Sequence, residues 1–215
     1  MTGDLPMRPT AMIRLRRGSL YRLLRDWMAD GRGVAATEFA FIVPLMLVMF
    51  FGTVEFCSAI AVNRKVTLIA RTLSDLTSQS TSVADADIST FFTVANKIIW
   101  PYTTGTLNPY FTSPMSGTIT ELFVDPTTHQ AKVKWSKGTA PRTAGSIVTT
   151  VGFAAKPIPT ALLVDNNYLI LSEVSYNYVP TVGYVMAKAG VTLSDVAFTR
   201  PRQSTCVFYS PSTSC

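Results

Sequence analysis

The chain has 215 residues, of which 47% are hydrophobic, and carries a formal net charge of +6. Much of the positive charge lies before Val34, where seven arginines face three aspartates. The lysines and arginines of the later sequence are scattered rather than clustered, which argues against a nucleic-acid-binding surface. No nucleic-acid partner is therefore expected. The arginines of the first segment are Arg8, Arg14, Arg16, Arg17, Arg22, Arg25 and Arg32.

A long apolar run covers residues 34–62. As a helix, this run would extend over roughly 43 Å, which exceeds the hydrocarbon thickness of a bilayer. The basic segment before it predicts a cytoplasmic N-terminus, with the later sequence on the far side of the membrane. We therefore predict a basic cytoplasmic leader at 1–33, one transmembrane helix at 34–62 and an extracytoplasmic domain at 63–215. Apolar residues at helical spacing in the leader fit either an amphipathic helix on the cytoplasmic leaflet or an unstructured segment.

Other interpretations of the apolar run are less consistent with its length and its residues. A secretory signal peptide has an apolar core of about 7–15 residues, but Ala59-Ile60-Ala61 fits its small-x-small cleavage pattern and leaves that alternative open. A lipoprotein signal is disfavoured because Cys57 follows Glu55 and Phe56 rather than small residues. The length also argues against the buried helix of a soluble protein.

Two acids lie inside the apolar run. Glu55 is near the far end, where its side chain can snorkel to the interface. Glu38 is only about 6 Å along a helix from Val34, and an acid at this depth costs on the order of 2–3 kcal/mol. Either Glu38 snorkels to the cytoplasmic face or it pairs with a cation at membrane depth. Cleavage after Gly33 would create such a cation, the α-amino group of Val34.

The helix is predicted to continue beyond the membrane. Apolar residues follow at spacings of 4, 3, 4 and 3, which places them on one helix face, with charged residues on the other faces. This stripe is expected to pack on a sheet, and the helix is expected to end in the polar segment 77–80. The stripe consists of Val62, Val66, Ile69, Leu73 and Leu76.

The remaining sequence predicts a mixture of helix and strands. A second helix is expected at 86–99, capped by Asp85 or Asp87 and ended by Trp100-Pro101. Alternation of apolar and polar residues is typical of half-buried strands, with a turn at 126–129 joining the first two and Gly117 in a connecting loop. The predicted strands are 119–124, 131–136, 147–153, 168–178 and 191–199. The fold class is therefore α+β, with a long N-terminal transmembrane helix that extends into a domain built on an antiparallel β-sheet.

The three cysteines divide into two groups. Cys57 falls within the predicted span and is expected to act as a small apolar residue. Cys206 and Cys215 lie in the domain beyond the membrane, where oxidation is permitted. Their separation allows a disulfide that closes a C-terminal loop, with two free thiols as the alternative.

The sequence lacks the usual constellations of catalytic residues. His129 is its single histidine and falls in a predicted turn, whereas nucleophilic catalysis and zinc sites usually recruit histidine. There is no glycine-rich phosphate-binding loop. No enzymatic activity, metal or cofactor is therefore expected, and His129 is interpreted as an exposed turn residue.

The start of the apolar run resembles the site cut by a type IV prepilin peptidase. The resemblance rests on Gly33, the apolar start 34–37 and Glu38 at the fifth position after the glycine. The fuller string 33–41, with Pro44, Gly52 and Glu55, is similar to the TadE/TadG-like pseudopilin family of the bacterial tight-adherence (Tad, or Flp) pilus system. Segments 173–176 and 200–202, with Tyr178 and Pro180, add to this similarity. The major Flp pilin is similar at its processing site, but it is a much shorter chain and favours Glu-Tyr where this chain has Glu38-Phe39.

This resemblance implies a pilin-like fold and a structural role as a minor pseudopilin of a Tad-type (type IVc) pilus assembly system that serves adhesion. It implies cleavage between Gly33 and Val34, and a role for Glu38 in assembly. The implied partners are the lipid bilayer, a prepilin peptidase and other Tad pilus subunits or pseudopilins. The implied location is the bacterial inner membrane, crossed once, with the C-terminal domain in the periplasm. The alternatives are an uncleaved, signal-anchored scaffold or binding protein and a membrane-tethered enzyme.

Overall fold

A computed structural model describes residues 21–22, 25–26, 28, 33–103, 110, 114–180, 190–213 and 215. The chain divides into two compact units, Met1–Met49 and Phe50–Cys215. Most of the basic leader, including nearly all of the segment considered as an amphipathic helix, lies outside the described residues.

The described elements alternate between helix and strand and then continue as strands. In chain order they are α1 (Val34–Ser78), β1 (Ser82–Val83), α2 (Asp85–Ile99), β2 (Met115–Val124), β3 (Ala131–Gly138), β4 (Ile147–Val148), β5 (Thr150–Val151), β6 (Lys156–Pro157), a 3-10 turn (Thr160–Leu162), β7 (Tyr168–Tyr178), β8 (Val191–Thr199) and β9 (Phe208–Tyr209). The combination confirms the predicted α+β class.

The first part of α1 presents apolar side chains to its surroundings. Phe39, Leu45, Phe50 and Phe56 are all exposed, and the most apolar stretch of the helix buries none of its residues within the protein. The helix is long and apolar enough to cross a membrane. A helix of 45 residues extends over roughly 67 Å, so it continues well past the thickness of a bilayer.

The last part of α1 belongs to a protein core. Four members of the predicted stripe are completely buried: Val62, Val66, Ile69 and Leu73. The prediction that Leu76 joins them is wrong, because Leu76 is only half-buried. Ser74 and Thr77 are buried instead, and the Ser74 hydroxyl lies 2.7 Å from Thr199 Oγ1 and 3.3 Å from the Ile170 carbonyl oxygen. The end of the helix therefore contacts the sheet through polar groups, which a count of apolar spacings does not reveal.

A five-stranded antiparallel sheet forms the centre of the domain, in the order β4-β3-β2-β7-β8. The hairpin between β2 and β3 confirms the predicted turn, in which Asp125 Oδ1 accepts the Thr127 N–H at 2.8 Å. The predicted strands 168–178 and 191–199 match β7 and β8. The predicted second helix is confirmed with its end at Trp100; Asp87 accepts the Ala84 N–H at 2.9 Å.

Each face of the sheet is covered. One face packs on α1 and α2 through Ile119, Trp135, Ile170 and Val174, and their contacts with α1 and α2 form the larger core. The opposite face forms a second core that includes Leu122, Val133, Leu169 and Leu171 with Ile158 from the segment after β4. A register shift between Glu121 and Leu122 interrupts the pairing of β2 with β3. Both helices therefore lie on one side of the sheet, and a meandering segment covers the other.

Two local predictions are wrong. The segment 147–153 does not form one strand but the short strands β4 and β5, since Gly152 (φ +73°) begins a turn in which the Ala155 N–H donates to its carbonyl. Gly117, placed in a connecting loop, lies inside β2. The short strands β1, β6 and β9 were not predicted, because two residues are too few to show alternation.

The packing of α1 on the sheet predicts a large cost for truncating its central contact. Leu73→Ala removes a completely buried side chain and should lower the free energy of unfolding by about 2–5 kcal/mol. Leu68→Ala is a matched control on the same helix, since Leu68 is 53% exposed, and should change it by less than about 0.5 kcal/mol. Denaturant unfolding of the full chain in detergent measures both, and equal values for the two variants would contradict the assigned helix face.

Candidate functional site

The first candidate site lies where α1 begins. Gly33 directly precedes the first helical residue, Val34, and both are exposed. A Cβ added to Gly33 would meet no atom within 4 Å, and its φ is not in the left-handed region. Nothing in the described fold therefore requires glycine at this position. Glu38 follows one turn later and is also exposed.

The structure changes the assignment of Glu55. Its side chain was expected to snorkel to an interface, but it is 5% exposed. The Tyr178 hydroxyl, at the end of β7, donates to Glu55 Oε2 at 2.7 Å. Burial and this hydrogen bond raise the pKa of the Tyr178 hydroxyl to about 12. The expectation that Glu55 reaches an interface is wrong. Its hydrogen-bond donor is the hydroxyl of Tyr178, more than a hundred residues away in sequence, and not solvent.

A second set of contacts fixes α1 along β7 and β8. The Ser172 hydroxyl donates to the Ala70 carbonyl, and the Thr199 hydroxyl donates to the Ser74 carbonyl at 3.0 Å. The buried Ser172 lies on β7 between Ile170 and Val174, which both belong to the larger core. These hydrogen bonds hold the helix in one register on the sheet.

The C-terminal segment joins the end of α1 to the sheet. The Arg202 N–H donates to the Ser78 carbonyl at 2.9 Å, and β9 pairs in parallel with β1 directly after the helix. In the structure, Cys206 and Cys215 form a disulfide with their Cα atoms 6.0 Å apart. Cys57, on α1, is a free and exposed thiol.

A buried carboxylate holds this C-terminal segment. Glu121, on β2, is 2% exposed, and its Oε1 accepts the Val207 N–H at 2.6 Å. The Trp135 indole N–H donates to the carbonyl of the same residue at 2.7 Å. Burial raises the pKa of Glu121 to about 7, although both neighbouring donors favour the ionised carboxylate. Both backbone polar groups of Val207 are thus paired with side chains of the sheet.

The chemistry of the described residues offers no catalytic arrangement. His129 is 68% exposed, and its Nδ1 lies 2.7 Å from Asp165 Oδ1, an ordinary pairing at the surface. Within the described part of the chain, no group of His, Cys, Asp and Glu side chains could hold a metal ion. The arrangement instead provides a helix whose first part is available to lipid and whose last part is fixed to a sheet.

Sequence reasoning missed the partners of the buried acids. Glu121 was placed in a strand without comment, although an acid between Thr120 and Leu122 in an apolar segment is a signal of a buried, hydrogen-bonded group. Tyr178 ends a predicted strand and is one of the residues that carry the family resemblance. Its distance in sequence from Glu55 gave no signal of their contact.

Comparison with known proteins finds a similarity to a family over part of the chain. The model of the TadE-like protein family matches residues 33–73, which include Gly33, Glu38, Glu55 and most of α1. The match does not extend to the strands, so it does not address the similarity noted at 173–176 and 200–202. No curated protein and no solved structure matches the chain.

The buried Glu121 predicts a distinct pH dependence of stability. Its folded pKa is about 7, above its ordinary value of 4.5, so the folded state binds the proton more tightly. Its contribution to stability is complete below about pH 4.5 and is lost as the pH rises through 7, by about 3 kcal/mol in total. Glu121→Gln keeps the acceptor for the Val207 N–H and removes this titration.

The measurement is denaturant unfolding of both proteins across this pH range. The difference in stability between the Gln variant and the original chain should grow in favour of Gln as the pH rises from 4.5 to 7. A difference independent of pH would contradict the burial of Glu121.

Proposed function

We propose that this chain, a TadE-like protein over residues 33–73, is a minor pseudopilin-like structural component of a Tad-type (type IVc) pilus assembly system. In this proposal, α1 anchors it in the bacterial inner membrane, with the basic leader in the cytoplasm and the domain in the periplasm. The observation that carries the proposal is the family match, because it covers the processing segment and the membrane helix together. The proposed partners are the bilayer, a prepilin peptidase and other pilus subunits.

The surroundings of Gly33 support cleavage between Gly33 and Val34. A side chain at this position would meet no described atom, so the fold gives no reason for a glycine there. A protease that works at the membrane face does give a reason, because a side chain next to the cut peptide bond would crowd its active site. Hydrolysis of that bond leaves the carboxyl group on Gly33 and a new α-amino group on Val34.

The position of Glu38 supports a role in assembly. It lies about 6 Å along the helix from Val34, so the new amine and the carboxylate are at nearly the same depth. A lone acid in lipid is costly, and a cation from a neighbouring subunit offsets that cost only in the assembled state. The pair would then set the axial register between subunits.

The alternative function is an uncleaved, signal-anchored scaffold or binding protein. It shares the membrane helix and the domain but leaves Gly33 and Glu38 without a role. The two functions differ in the N-terminus of the mature protein: Val34 for the pseudopilin and Met1 for the uncleaved anchor.

Processing is tested by Gly33→Leu, which should block cleavage and leave the longer chain. Gly18→Leu is the matched control in the leader and should still be cleaved. N-terminal sequencing and gel mobility, in cells with and without the peptidase, measure both. A Gly33→Leu chain that still starts at Val34 would refute the processing site.

Assembly is tested separately by Glu38→Ala, which should be cleaved normally and recovered poorly in pili, because the Val34 amine loses its partner. Thr37→Ala alters the neighbouring exposed residue and should leave both steps intact. Recovery of sheared pili measures assembly. Normal recovery from Glu38→Ala would mean that the carboxylate only snorkels to the membrane surface.

The proposed periplasmic location predicts that Cys206 and Cys215 are oxidised in the native protein. Alkylation of the unfolded, non-reduced chain should label Cys57 alone, and intact mass should rise by a single adduct. Labelling of all three cysteines would place the domain in a reducing compartment, against the proposed topology.

A further inference from the structure

One end of the domain faces the apolar part of α1. Strand β7 runs antiparallel to α1, since Ser172 contacts Ala70 and Tyr178 contacts Glu55. Because Val191 of β8 pairs with Tyr178, the start of β8 lies at this end as well. The proximal end is defined here by Trp100, Tyr102, Val179 and Val191, together with the helix residues Arg64 and Lys65.

Apolar and aromatic side chains of the proximal end are exposed. Trp100 is 69% exposed and Val179 57%; exposed apolar side chains also occur elsewhere on the domain, as at Phe153, but these two lie at the end nearest the apolar part of α1. Val191 is exposed as well. The exposed apolar surface of α1 continues through Phe56 to Ile60, only one helical turn before Arg64. The two apolar surfaces are therefore close to each other.

The aromatic residues are fixed in place by a lysine of the helix. Lys65 Nζ donates to the Trp100 carbonyl at 2.6 Å and lies 5.2 Å from the centre of the Tyr102 ring. The Tyr176 hydroxyl donates to the Tyr102 carbonyl at 2.8 Å. These contacts bind the backbone at Trp100 and Tyr102 to α1 and β7, and the Trp100 side chain is exposed.

Tryptophan and tyrosine beside lysine are the side chains that concentrate at the interface between hydrocarbon and headgroups. Lysine buries its carbon chain and keeps its ammonium group among the headgroups. Positive charge is added by Arg64 and Lys65 of α1 and by Lys97 at the end of α2. Asp195 on β8 adds a negative charge, and its carboxylate accepts the Val196 N–H at 2.8 Å. This composition suits an interface with anionic lipid.

We propose that the proximal end lies in the headgroup zone of the outer face of the bilayer, so that the domain rests on the membrane and contacts lipid through Trp100. The proposal rests on the membrane anchoring by α1 in the proposed function and adds a second lipid contact to it. Its consequence is that the orientation of the domain on the membrane is set before any pilus partner binds.

The test uses quenching of tryptophan fluorescence in vesicles of phosphatidylcholine with a minor share of phosphatidylglycerol. Phosphatidylcholines with bromine near the headgroup or near the bilayer centre serve as quenchers. Trp27→Phe in the full chain leaves Trp100 and the buried Trp135 as emitters. The control is Trp27→Phe with Trp100→Phe, a conservative change at an exposed site.

Bromine near the headgroup should quench the Trp27→Phe protein more strongly than bromine near the bilayer centre, and the control should lose this quenching. Equal quenching of both proteins would overturn the inference. Quenching that disappears as protein density in the vesicle rises would also overturn it, because a second copy would then cover Trp100. Resistance to carbonate extraction tests the anchoring itself, so an embedded protein with unquenched Trp100 refutes this proposal and leaves the proposed function standing.

Discussion

A single helix passes from a region suited to lipid into a protein core without a break, and the rest of the molecule depends on that continuity. The side chains of Phe50 and Phe56 are exposed. The stripe that follows is completely buried at Val62, Val66, Ile69 and Leu73. Glu55, next to Phe56, is an acid that neither lipid nor an apolar core accepts without a donor. Tyr178 supplies that donor, and so the helix and the sheet meet at the point where the surroundings change.

The remaining contacts fix the last part of α1 to the sheet. Ser172 and Thr199 donate to helix carbonyls, Arg202 caps the last turn, and β9 pairs beside β1. Glu121 and Trp135 then bind the backbone N–H and the carbonyl of Val207.

Much of this fold could be predicted because its long elements have strong periodicity. The stripe from Val62 to Leu73 and the alternation over residues 173–178 of β7 depend only on neighbouring residues, and the structure agrees with both. The errors arose where a distant partner decides the outcome. Leu76 is only half-buried, whereas Ser74 is buried and forms a hydrogen bond with Thr199. Glu55 is buried because the Tyr178 hydroxyl donates to its carboxylate. The candidate site at Gly33 and Glu38 was inferred from family resemblance, and the partners proposed for it are other molecules, so periodicity within one chain carries no information about them.

The most direct test of the account is a spin-label scan along α1 in vesicles, with cysteines introduced singly in a Cys57→Ala chain. Labels at residues 45, 49 and 51 should collide freely with oxygen and hardly at all with a water-soluble nickel complex. At Val62, Val66, Ile69 and Leu73 both collision rates should be low, while labels at Arg64, Leu68 and Arg71 should meet the nickel complex. Nickel access at residues 45–51, or one unchanged pattern along the whole helix, would contradict the division of α1 between lipid and core.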